Sequence, residues 1–210
     1  LACLPLVGLI AGGVWALCAW LGGFLPRPIG ALLCAAAPWL VTGFMHLDGY
    51  MDVCDAVLSR RELATRQRIL KDSHCGAFAV IGMVLLALCQ WSVFLSGSAD
   101  ESLWGLLLIP VATRACAGLA VLKLRPMGTS QYAAMGRHGG YAAALAVLLA
   151  AAIAVPLVTD RSFAPLAAAT GYGLAVWYGF RQLDGMNGDI SGFALTLGEL
   201  AGAAVWTLVR

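Results

Sequence analysis

Gly76-Ala77-Phe78-Ala79-Val80-Ile81-Gly82-Met83-Val84-Leu85-Leu86-Ala87-Leu88-Cys89-Gln90-Trp91-Ser92-Val93-Phe94-Leu95-Ser96-Gly97 contains no charged residue. A helix rises about 1.5 Å per residue and a hydrocarbon core is roughly 30 Å thick, so about twenty such residues suffice to cross it. Working outward, similar apolar runs, broken by Gly, Pro or charge, lie at 1–25, 29–45, 102–122, 139–159, 162–180 and 188–209. Across all 210 residues 61% are hydrophobic and 11% charged, about half the charged share of a soluble domain. The expected fold is an all-α, polytopic membrane bundle of about seven transmembrane helices, one domain over 1–210. Pro26-Arg27-Pro28 permits only a tight turn, so the first two spans should form a hairpin.

Charge distribution orients the bundle. Arg60, Arg61, Arg66, Arg68 and Lys71 fall in the second connection, Lys123, Arg125 and Arg137 in the fourth, and Arg181 in the sixth. The odd connections hold only Arg27 and Arg161. Positive residues stay cytoplasmic, which places the even connections and the N-terminus inside and Arg210 outside. Asp48, Asp52, Asp55, Glu62, Asp72, Asp184, Asp189 and Glu199 lie in or beside those same connections, which topology alone does not require. A mixed-charge face suits an anionic ligand held through metal ions and arginines; the alternative is a solvated loop surface.

A net charge of +2, with no basic stripe, argues against nucleic acid as partner. The seven cysteines are odd in number and form no CxxC pair, so they read as small buried hydrophobes. The chain opens on Leu1 without a charged leader, which points to a trimmed or processed N-terminus rather than a signal peptide. No convincing internal repeat is present, and alanine-rich span 5 suits close helix packing.

Three motifs carry chemistry. In His46-Leu47-Asp48-Gly49-Tyr50-Met51-Asp52-Val53-Cys54-Asp55 the carboxylates recur at i, i+4 and i+7, within about 60° of a helix face. Partly desolvated like charges so close together call for a cation, and Mg²⁺ prefers oxygen ligands. Gly49 inside that helix costs about 1 kcal/mol relative to Ala unless something approaches closely, such as a phosphate or metal. The alternative is an acidic helix start capped by Asp48. Lys71-Asp72-Ser73-His74-Cys75-Gly76 leads into span 3, where free backbone N–H groups, Lys71 and Ser73 suit a phosphate, or where Asp72 or Ser73 simply caps. Asp184-Gly185-Met186-Asn187-Gly188-Asp189-Ile190-Ser191-Gly192 opens the last span, with Thr196 and Glu199 following on the same face. A charged residue within a span costs about 2.5–3.5 kcal/mol on insertion scales, so Glu199 and Arg114 must face a polar cavity or pair, with each other or with something else.

On these residues the chain resembles the cobalamin synthase family, the adenosylcobinamide-GDP ribazoletransferases. Cys3 through Gly8 is similar to an early P-x-V-G span, His46 through Asp55 to H-x-D-G-x-x-D-x-x-D, Lys71-Asp72-Ser73 with Gly76-Ala77-Phe78 to K-D-S-x-x-G-x-[FY], and Gly188 through Gly192 with Glu199 to a closing G-D-x-x-G and glutamate. Ala56, His74 and Asn187 depart from the usual glycine, arginine and threonine. The resemblance implies a Mg²⁺-requiring phosphotransfer from adenosylcobinamide-GDP to α-ribazole or its 5′-phosphate, giving adenosylcobalamin or its phosphate plus GMP. It would take place at the cytoplasmic face of a bacterial inner membrane. It casts Asp48, Asp52, Asp55, Asp189 and Glu199 as metal ligands, with Asp52, Asp189 and Lys71 catalytic and Asp189 alternatively the base. Gly49, Lys71, Ser73, Arg114, Gly188 and Gly192 then meet substrate phosphates. Partners are those small molecules and the lipid bilayer, and a homo-oligomer is compatible with the sequence. CDP-alcohol phosphotransferases also use repeated aspartates, but Met51-Asp52 stands where their alanine-arginine would. A transporter would place its charges at mid-depth rather than on one side.

Overall fold

The computed structural model describes residues 3–97, 102–128 and 139–209. Leu1, Arg137 and Arg210 lie outside the described residues. Nine helices form among those described: α1 (Leu4–Gly22), α2 (Arg27–Val41), α3 (Met45–Leu58), α4 (Leu63–Ile69), α5 (Ala77–Ser96), α6 (Leu103–Lys123), α7 (Gly139–Thr159), α8 (Ala164–Leu183) and α9 (Gly188–Leu208). The fold is all-helical, as expected.

Helices stand at all seven expected spans, but they are not equivalent. Five of them, α1, α5, α6, α7 and α9, are individually long and apolar enough to cross a membrane. The run drawn over 29–45 is instead two helices, α2 and α3, bent by 90° at the break, and counts at most as one interrupted span. Gly43 and Phe44 both take left-handed backbone there (φ 58° and 63°), and the Thr42 hydroxyl donates back to the Pro38 carbonyl at 2.9 Å, closing α2. α8 has the length for a span, but Gly, Thr, Gln and Arg make it less apolar than those five. The expected α1–α2 hairpin forms.

The two ends of the bundle gather different connections. Arg66 donates to Gln182, Arg125 pairs with Asp184, and Pro126 bridges to Met186, so the second, fourth and sixth connections share one end. At the other end Arg27 donates to the Leu95 and Gly97 carbonyls and Ser102 to Asp160, which joins the odd connections. The two larger of three apolar clusters fill the space between: one around Trp15, Phe94 and Trp206 towards the odd end, one around Tyr50, Phe193 and Leu183 towards the even end. Of the cysteines only Cys34 and Cys54 are buried, while Cys3, Cys75 and Cys89 are exposed, so burial describes fewer of them than expected. Cys89 lies on a helix whose outward face, with Val84, Leu85 and Leu88, is apolar and exposed, as a lipid-facing surface should be.

Candidate active site

The site is built where α3 crosses α9 at the even end. Leu47, Tyr50, Val53 and Val57 turn α3 into the core, and this leaves Asp48 exposed and Asp52 and Asp55 half-buried along its flank. α9 starts at Asn187, whose Oδ1 accepts from the Ile190 N–H at 2.9 Å and whose Nδ2 donates to Asp189 Oδ2 at 2.7 Å. One residue thus caps the helix and fixes the carboxylate. By the family resemblance Asn187 stands only as a departure from threonine; asparagine's strong preference for the N-cap position is the signal in the sequence for this role.

The crossing is tight because two glycines permit it. A Cβ on Gly49 would lie 2.9 Å from the backbone of Asp189, and one on Gly192 would lie 3.0 Å from the His46 carbonyl oxygen. Gly49 therefore serves the approach of a helix backbone, and Gly192 is buried at the same contact, while Gly188 is exposed. Thr196 adds a hydroxyl bond to the His46 carbonyl at 3.3 Å. Tyr50 stacks on Phe193 with centroids 5.6 Å apart, and its hydroxyl donates to the Gly82 carbonyl, which ties α5 in.

Asp52 consequently sits in the electrostatic field of Asp48, Asp189 and Asp55, and Asp189 in that of Asp48. Among the described residues none of these four carboxylates is in an ion pair with Lys, Arg or His. Nor do three acidic, His or Cys side chains among those described already converge in ligating geometry. The donor set fits a Mg²⁺ held by one or two carboxylates, with water and substrate phosphates completing the shell.

Asp55 points elsewhere. Its Oδ2 lies 2.0 Å from where a Cβ on Gly76 would be, and its Oδ1 accepts from the Ala79 N–H at 3.4 Å, at the N-terminus of α5. Ahead of that terminus Lys71, Asp72, Ser73 and His74 are exposed. The His74 ring and backbone N–H bond Asp72 Oδ1 at 2.6 and 3.1 Å, and the ring contact first, then the backbone one, hold the Asp72 carboxyl below its usual range. The side chains of Lys71 and Ser73 make no hydrogen bond or ion pair among the described residues.

Arg114 and Glu199 are brought to each other rather than to the aspartates. Both are buried, and they pair at 2.5 Å between α6 and α9, with Arg114 Nη1 also reaching the Pro110 carbonyl. Arg114 is near enough to His46 to act on it electrostatically, which puts the pair behind the start of α3.

These features define a polytopic helical membrane protein with a metal-compatible set of carboxylates at the end that carries its basic connections. The chain belongs to the cobalamin-5-phosphate synthase family, whose model matches residues 1–207. It is 37% identical over 207 residues to an adenosylcobinamide-GDP ribazoletransferase of Clostridium perfringens strain 13, covering 94% of this chain and 82% of the relative. It is 34% identical to one of Thiobacillus denitrificans over 206 residues, covering 94% and 79%. A relative so named in Clostridium botulinum strain Alaska E43 is 31% identical over 210 residues, covering 95% and 83%. No solved structure matches the chain.

Proposed function

We propose that this membrane transferase joins adenosylcobinamide-GDP to α-ribazole or α-ribazole 5′-phosphate, giving adenosylcobalamin or its 5′-phosphate and releasing GMP. The observation that carries the reading is the set of carboxylates from α3 and α9, uncompensated by any described cation, beside a loop that presents Lys71 and Ser73. Asp48 and Asp52 are the residues to hold Mg²⁺, with Asp189 facing them. When bound, that ion supplies charge neutralisation for the diphosphate and leaving GMP, the main need of a phosphoryl transfer. Lys71 and Ser73 contact phosphate oxygens. Asp189, held by Asn187, takes the proton of the attacking α-ribazole hydroxyl. The new P–O bond forms to that oxygen as the bond from the cobinamide phosphate to GMP breaks. The carboxylate end faces the cytoplasm of a bacterial inner membrane, in keeping with the bias of Lys and Arg to that end.

The test is GMP release by protein purified in detergent or lipid and given adenosylcobinamide-GDP, α-ribazole and Mg²⁺. Asp52→Asn and Asp189→Asn should each lower turnover by at least about 10²-fold. Near wild-type rates in both variants would remove the metal-site assignment, and a folded protein that releases no GMP would remove the reaction.

A further inference from the structure

The three aspartates of α3 share a helical face in sequence, yet they do not share surroundings. Asp48 and Asp52 face Asp189 across the α3–α9 crossing. Asp55, one turn further on, leans onto a different helix. Its carboxylate occupies the space over Gly76 Cα, 2.0 and 2.4 Å from the ideal Cβ position, and receives the Ala79 N–H. Gly76 is the N-cap residue of α5 and offers no side chain of its own to the orphan N–H groups there. Asp55 supplies the missing acceptor from another element, and a negative charge at that terminus is favoured by the helix dipole.

We infer that Asp55 is a positioning residue: it fastens the carboxylate helix α3 to the start of α5 and so fixes the Lys71–Ser73 loop relative to Asp52 and Asp189. Glycine at 76 is required because any side chain there would displace the Asp55 carboxylate. The inference rests on the metal-site reading for the remaining aspartates, and the loop it fixes is the phosphate-facing one. It separates Asp55 from Asp48 and Asp52, with which its spacing would group it.

Asparagine discriminates the two roles, since its side-chain oxygen accepts the Ala79 N–H but is a poor magnesium ligand in place of a carboxylate. In metal-free protein, trypsin cleavage at the arginines of the α3–α5 connection reads the fastening without any reaction. Asp55→Ala and Gly76→Ala should each speed that cleavage about fivefold or more, as loss of a helix cap implies, and Asp55→Asn should stay within about twofold of wild type. In the GMP-release assay Asp55→Asn should keep turnover within about tenfold and leave the Mg²⁺ concentration for half-maximal rate unchanged, whereas Asp52→Asn loses at least about 10²-fold. Asp55→Asn as damaging as Asp52→Asn, with a raised Mg²⁺ requirement, would overturn the inference. So would cleavage unaffected by Asp55→Ala. Failure of the metal reading itself shows separately, as a normal Asp52→Asn enzyme, and leaves the cleavage result standing.

Discussion

At the scale of single residues, the pair Arg114–Glu199 shows how burial assigns roles that charge alone leaves open. Both side chains are almost fully enclosed, and Arg114 Nη2 is buried without a hydrogen-bond partner among the described residues. An ion pair in such surroundings returns little net stability, but breaking it strands a charge, at a cost of about 3–5 kcal/mol. Glu199→Gln should therefore lower the unfolding stability in detergent markedly, and Arg114→Met with Glu199→Leu should recover most of that loss. If the pair only supports the α6–α9 packing behind α3, GMP release recovers with it; if Glu199 ligates the metal, stability returns and activity does not. Thermal unfolding and GMP release measured on the same three proteins decide between them, and the buried pairing favours joint recovery. The mutual pairing was one of the two readings that the sequence left open, because an apolar run shows that a charge needs a partner but not where the partner sits.

At the scale of elements, the α3–α9 crossing is what turns separate motifs into a site. Gly49→Ala would drive a Cβ to 2.9 Å from the Asp189 backbone, and backbone cannot rotate away as a side chain would. The helices must part, at a cost of about 1–3 kcal/mol for overpacking, carrying Asp189 away from Asp48 and Asp52. The expected outcome is a lower melting temperature together with a fall in GMP release. Gly13→Ala in α1, where a Cβ meets nothing within 4 Å, should be neutral or slightly stabilising in the same measurements. The spacing of the aspartates and the helix start at Asn187-Gly188-Asp189 were legible in the sequence, since both rest on local geometry. The 90° break at Gly43-Phe44 was not. Phe44 in left-handed backbone contradicts its own preference, so no local signal marks the break. Nor does an i, i+4, i+7 pattern tell that the last of three carboxylates is claimed by a neighbouring helix.

At the scale of the whole molecule, the connections sort by parity. Contacts among the second, fourth and sixth gather the basic residues, the aspartates and Lys71 at one end, and those among the first, third and fifth form the other. A chain crossing the bilayer at α1, once by the interrupted α2–α3 pair, and at α5, α6, α7, α8 and α9 would have this arrangement. Positive residues resist translocation, so the basic end should face the cytoplasm. Two exposed positions read that orientation: Cys75, just ahead of α5 at the basic end, and Phe24, in the α1–α2 turn at the other. In a background with the other six cysteines replaced, Cys75 should react with a membrane-impermeant maleimide in inverted vesicles and resist it in right-side-out ones. A cysteine-free protein carrying Phe24→Cys should show the opposite. Cys75 labelled from the periplasmic side would reverse the orientation and, with it, the supply of a nucleotide-activated substrate from the cytoplasm, while leaving the α3–α9 site as it stands.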